Sequence, residues 1–327
     1  MDLEKVSGLF GHIEIDRKIA NIYIFDHLYF INKKLDILNT CLVENIIYIN
    51  QFDSLILGIY MSGFIISVIN HKGGVGKTTT AVNLAQGLTR EGQRVLVVDL
   101  DPQCNTTDIL LPEQKIEKSV YEVLNPEEDK LSIESCIYGT SIKDLYCLPN
   151  IEDLALLEAR LIRRSPESFS ILSRRLRSYA KGNYNFTIID NPPNLGTFVI
   201  CSLYASDFAI VPNEAGSKTS VRGLIKAVKF IDDIHDQANP NLKFLRLLIT
   251  KVDRRTAICR AIIAQIENLF QNDRIFKTVI PINTDFQKSE YGDKTIFQYN
   301  QNAAGARAYR NLARELLTIL GQLTTPA

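Results

Sequence analysis

The chain has no tryptophan and only two methionines, Met1 and Met61, in 327 residues. Histidine is nearly as scarce, with four copies, which leaves little material for a histidine-rich zinc site. The six cysteines (Cys41, Cys104, Cys136, Cys147, Cys201 and Cys259) form no Cys-x-x-Cys pair. That spacing excludes a zinc ribbon and points to buried thiols in a reducing, cytosolic setting. Neither sign of charge is in excess: Lys plus Arg and Asp plus Glu both number 37. Nucleic-acid binding by bulk charge is therefore excluded, and any such binding needs a local basic patch. No apolar run reaches the roughly 20 residues of a spanning helix. The stretch from Leu55 to Val68 is broken by Gly58, Ser62 and Gly63. Neither a cleavable leader nor a membrane anchor is expected.

What is present is a hydrophobic content of 46% with 23% charged residues, enough for a large core. From Met61 onward, apolar runs alternate with helix-period runs, the pattern of a parallel α/β sheet. Strands are expected at Phe64–Ile69, Arg94–Asp99, Leu145–Leu148, Phe186–Asp190, Phe208–Pro212, Leu245–Val252 and Phe276–Ile280. Helices are expected at Thr78–Arg90, Ile151–Arg163, Ser168–Ala180, Ser220–Gln237, Ala257–Gln271 and Ala303–Leu320. The basic run Arg174, Arg175, Arg177 and Lys181 reads as a solvated helix face. Residues 1–61 have a β-like texture and carry no chemistry. Two readings stay open for them, an N-terminal appendage or a translation start at Met61. Residues 62–327 form the expected domain.

The chemistry begins at His71-Lys72-Gly73-Gly74-Val75-Gly76-Lys77-Thr78-Thr79-Thr80, between an apolar strand and a helical run. Glycines let successive backbone N–H groups converge on one anion, and the helix N-terminus adds partial positive charge there. Lys77 is placed to reach β- and γ-phosphates and Thr78 to ligate Mg²⁺. The spacing of the common phosphate loop asks for glycine where His71 stands. In compensation an additional cation, Lys72, opens the loop. A second strand ends in Asp99-Leu100-Asp101-Pro102-Gln103 and a third in Asp190-Asn191-Pro192-Pro193. Ligands of parallel sheets sit at the carboxyl ends of strands, so these acids face the phosphates. Either Asp99 or Asp101 can orient an attacking water while the other holds the metal's hydration shell or the loop. Asp190 suits a metal held through water. Thr250-Lys251-Val252-Asp253 raises a GTP alternative, since a carboxylate there pairs with guanine donors.

Together these segments, with Phe276-Lys277-Thr278-Val279-Ile280-Pro281, resemble the ParA/MinD family of deviant Walker A ATPases, and most closely its ParA-type (Soj-like) DNA-partition members. The resemblance spans about Ser62 to Leu320. It implies a P-loop NTPase fold of class α/β, with a mostly parallel central sheet in a three-layer α/β/α arrangement. It implies ATP and Mg²⁺ as ligands and an ATP-dependent homodimer in which Lys72 contacts the facing subunit's phosphates. Gly73, Gly74, Val75, Gly76, Lys77, Thr78 and Thr79 would cradle the phosphates, with Pro281 and Asn283 near adenine, which favours ATP over GTP. Asp101 would be needed for hydrolysis, and Thr78 and Asp190 (via water) would hold the metal. A ParB-like adaptor and nonspecific double-stranded DNA are the implied partners, with no membrane, in a cytoplasmic, nucleoid-associated protein.

The chain departs from the family at Cys104, where glycine is usual, and at Asn191, where threonine or cysteine is usual. Ile282 and Asp285 stand where arginines of the DNA surface are common, leaving chiefly Arg254, Arg255 and Arg260 as the basic candidates, with Lys277, Lys288 and Lys294 nearby. A MinD-like positioning role is the alternative, but 316–327 carries none of the basic residues of a membrane helix. A reductase with an iron–sulfur cluster would need Cys104 and Cys201 to bridge two subunits. A scaffold without activity fits poorly with intact Lys72, Lys77, Asp101 and Asp190.

Overall fold

The computed structural model describes residues 63–324 except Asp129 and Ser217. The expectations for residues 1–61 lie outside the described residues. The strands are β1 (Phe64–Val68), β2 (Val95–Asp99), β3 (Tyr138–Gly139), β4 (Leu145–Leu148), β5 (Phe186–Asp190), β6 (Phe208–Glu214) and β7 (Lys243–Thr250). They form one seven-stranded sheet in the order β3-β4-β2-β5-β1-β6-β7. All pairs are parallel except the short β3 against β4. The central strands β1, β2 and β5 are nearly continuous in Val, Ile and Leu because helices cover both faces.

The helices are α1 (Lys77–Arg90), α2 (Asn105–Leu110), α3 (Val120–Leu124), α4 (Leu154–Arg163), α5 (Ile171–Asn183), α6 (Thr197–Ala205), α7 (Lys218–Gln237), α8 (Ala257–Leu269), α9 (Thr284–Tyr291), α10 (Ile296–Asn300) and α11 (Ala304–Thr324). One face of the sheet, with Ile66, Val97, Ile188 and Ile210, packs on Leu84 and Leu88 of α1 and Leu312 and Leu316 of α11. The other face, with Leu96, Val98 and Ile189, is covered by α3 to α6. At β6 and β7 that same face is covered by α7 and α8. The result is the expected three-layer α/β/α P-loop fold. Helices α1 and α11 approach closely at Gly87, where a β-carbon would stand 3.0 Å from the Tyr309 carbonyl oxygen and 3.2 Å from the Ala313 Cβ.

Two expectations are corrected. Phe276–Ile280 is no strand: it meets β7 only through the isolated bridge Leu247–Ile275 and single bonds such as Ile280 N–H to the Ile249 carbonyl, 2.9 Å. The reason is a partner distant in sequence, since the N–H groups of Lys277 and Thr278 donate to the two carboxylate oxygens of Glu315, at 2.7 and 2.9 Å. The basic run of α5 is not a solvated face either. Only Arg174 is exposed. Arg175 donates to the carbonyls of Glu122, Val123, Asn125 and Glu128, closing the end of α3. Arg177 and Lys181 both pair with Asp207.

Candidate functional site

The strand β1 delivers the loop, and α1 begins where it ends. Asn70 fastens the entrance: its Nδ2 donates to the Pro212 carbonyl at 2.7 Å and its Oδ1 accepts from Lys72 N–H at 3.0 Å. Gly76, with φ of 89°, holds the left-handed turn that a side-chain-bearing residue would resist. Lys77 folds back over the loop, with Nζ 3.2 Å from the Lys72 carbonyl. Burial lowers its ammonium's pKa, while the carboxylates of Asp190 and Asp101 oppose that shift.

The acids divide by orientation. Register places Asp99 beside Asp190 on adjacent strands. Asp99 turns inward: its Oδ2 accepts from the N–H and hydroxyl of Thr107, and its Oδ1 from Asp101 N–H. Burial first, and then Asp190, raise its pKa to about 8. Asp101 instead lines the cavity, its carboxylate braced by Gln103 N–H at 3.0 Å. Of the two candidates for orienting a water, Asp101 is the one with access. Asp190 is fully buried, and its Oδ2 accepts from Thr78 Oγ1 at 2.7 Å and Thr106 Oγ1 at 2.8 Å. Its Oδ1 is buried without a hydrogen-bond partner, and a hydrated cation bound there would satisfy it. Burial raises this carboxyl to about 6, and the two threonine hydroxyls pull the other way.

A cavity of about 680 Å³ opens over the loop. Gly73, Gly74, Gly76, Lys77, Thr78 and Thr79 line it together with Asp101, Thr250, Lys251, Pro281 and Asn283. Most of the sequence-derived candidates for phosphate and base thus share one cavity. Three of them lie outside its lining. Val75 is buried in the core, and its carbonyl accepts from Thr250 Oγ1 at 2.8 Å. Asp190 sits behind Thr78. Lys72 is ion-paired with Glu214. Asn283 spends its Oδ1 on capping α9 through Asp285 N–H, 2.9 Å.

Asp253 does not line the cavity and is held by both Nε and Nη2 of Arg255, at 2.8 and 2.9 Å. The guanine-reading alternative loses its carboxylate. Arg254 and Arg255 lie on the exposed turn before α8 and Arg260 in the exposed first turn of α8, where it donates to the Arg254 and Arg255 carbonyls. Arg255 is ion-paired with Asp253. Cys104 and Cys201 are buried, with thiols pushed up to about 12 by that burial, unlike thiolates poised to bridge two subunits. Among the described residues no helix is long and apolar enough to cross a membrane. Sequence reading missed Asn70, Thr106 and Glu214. Only Thr106, two residues after Cys104 in a polar run, carried a local signal.

Comparisons with known proteins fit this geometry. An AAA-domain family matches residues 63–244. The sporulation initiation inhibitor protein Soj of Bacillus subtilis is 34% identical over 255 residues, covering 78% of this chain and 98% of that protein. The chromosome partitioning protein ParA of Myxococcus xanthus is 32% identical over 256 residues, 78% of this chain and 88% of its own. A Mycobacterium smegmatis protein described as a cobyrinic acid a,c-diamide synthase, solved with an ATP analogue and magnesium, is 32% identical with a TM-score of 0.67. That match covers 79% of this chain and 96% of the other.

Proposed function

The chain belongs to the AAA-domain family of Soj/ParA chromosome-partitioning P-loop ATPases, and from that premise we propose that it is an ATP-dependent switch for DNA partition. The observation that carries the reading is Asp101 facing the loop cavity while Asp190 waits behind Thr78 with an unpaired oxygen. In this reading Lys77 and the loop N–H groups bind the phosphates of ATP. Thr78, directly, and Asp190, through water, would hold Mg²⁺, and the donor set of hydroxyl and carboxylate oxygens suits that hard cation. The metal would supply charge neutralisation across the phosphates. Asp101 orients the water that hydrolyses ATP, and Lys72 completes the site of a facing subunit. Pro281 and Asn283 border the base.

ATP favours a homodimer, the dimer binds nonspecific double-stranded DNA through Arg254, Arg255 and Arg260, and a ParB-like adaptor stimulates slow hydrolysis to reset it. This cycle places the protein in the cytoplasm on the nucleoid. The pairing of Arg255 with Asp253 and the 60% exposed Ile282 favour a second reading, in which the same cycle positions a membrane or protein cargo, as in MinD-like relatives.

The deciding experiment measures binding to nonspecific duplex DNA without nucleotide, with ADP and with ATP, at low and moderate salt, for the native chain and Asp101→Ala. Binding only with ATP, stronger in the variant and weakened by salt, is expected. ATP-dependent dimers that ignore DNA would move the assignment to the second reading.

A further inference from the structure

Lys72 and Lys77 leave one loop in different directions. Lys77 lines the cavity and Lys72 does not. The Lys72 ammonium turns to the carboxylate of Glu214, at the end of β6, and both side chains are largely withdrawn from water, at 29% and 18% exposure. The backbone around this pair is pinned on both sides. Asn70 bonds the Lys72 N–H to its Oδ1 and the Pro212 carbonyl to its Nδ2, stitching the loop entrance to β6 just before Glu214. The Lys72 carbonyl accepts from Lys77 Nζ. Lys72 is followed directly by Gly73 and Gly74, which do line the cavity. Its flexible four-carbon stem is the part free to choose between a carboxylate and a phosphate.

We propose that Glu214 is a positioning residue that withholds the Lys72 ammonium from the phosphate cavity of its own subunit. The inference rests on the ATP-binding reading of that cavity. A single subunit then meets the phosphates with Lys77 as the one loop lysine in the cavity, and the loop's second cation stays in reserve on the Glu214 side. A half-buried ion pair suits this task, because it is strong enough to hold a lysine and weak enough to be exchanged for a multiply charged phosphate.

The test measures Mg-ATP affinity by calorimetry at protein concentrations where light scattering reports a single subunit. Glu214→Gln is expected to bind ATP about fivefold to tenfold tighter, since one more cation reaches the phosphates. Glu214→Asp is expected to restore most of the native affinity, and Lys72→Ala/Glu214→Gln to show no gain. Native affinity in Glu214→Gln, or a gain that persists without Lys72, overturns the proposal. The native chain alone gives a further readout, should the variants fold poorly: amine acetylation followed by mass spectrometry is expected to modify Lys72 far more slowly than the exposed Lys251. Equal rates overturn it as well. Dimerisation with ATP is scored separately at high protein concentration. Its failure in the native chain sinks the switch reading, while the affinity and acetylation results still decide the role of Glu214.

Discussion

Thr78 donates its hydroxyl to one oxygen of Asp190 at 2.7 Å, and the other oxygen of that carboxylate is buried with no partner. One side chain of α1 and one strand end are thus already joined where a hydrated cation would bind. Replacing Asp190 with Asn keeps the shape and removes the charge. The expected result is a loss of Mg²⁺ affinity of about 10–100-fold, the range seen when a metal's outer support is removed. Titrating Mg²⁺ into the protein with ATP, by calorimetry, checks it, and an unchanged magnesium dependence refutes the assignment.

Asp99 sets a pH dependence of stability. Its carboxyl is raised to about 8 by burial and by Asp190, against 3.8 in the unfolded chain. Between those values the folded state keeps a proton that the unfolded state has lost. Stability is therefore fullest below pH 4 as far as this group goes, and it declines as pH rises towards 8. The slope is at most about 1.4 kcal/mol per pH unit. Thermal melts from pH 6 to 8.5 in EDTA are expected to show falling midpoints for the native chain and a flatter profile for Asp99→Asn.

Arg177 anchors a buried acid. Asp207 accepts from the N–H of Ile65 at the start of β1 and pairs with both Arg177 and Lys181. Arg177 also donates to the Ala205 carbonyl at 2.6 Å. Arg177→Ala leaves part of that acceptor set unmet and is expected to destabilise the fold by about 1–3 kcal/mol. The exposed neighbour Arg174 is the control: Arg174→Ala is expected to shift stability by no more than about 0.5 kcal/mol. Urea midpoints compare the two.

Base preference is expected to be independent of Asp253, because its carboxylate is engaged by Arg255 outside the cavity. Competition between ATP and GTP for Asp253→Ala should give the native ratio. A selective loss of GTP binding would restore the guanine-reading role.

The sequence made the central strands legible because helices bury both faces, so Val95–Asp99 and Phe186–Asp190 read as unbroken apolar runs ending in acids. The loop was legible because its glycines, lysines and threonines are contiguous. What escaped depends on partners far along the chain. Phe276–Ile280 has the composition of a strand, but Glu315 takes the N–H groups of Lys277 and Thr278. Arg175 and Arg177 look like surface charges until the end of α3 and Asp207 come to meet them. Short helices such as α9 and α10 have too few turns for a hydrophobic period to show. Glu214 carries no local mark, since only folding brings β6 beside the loop entrance.

The closeness of α1 and α11 at Gly87 bears on synthesis as well as on packing. The helix that starts at Lys77 is made early, and the helix that covers it contains Leu312 and Leu316, made near the end. A ribosome that has released the loop but not yet residues 304–324 presents α1 with one apolar flank still facing water. A chain cut short before α11 therefore leaves Leu84 and Leu88 without the cover of Leu312 and Leu316, however intact its loop.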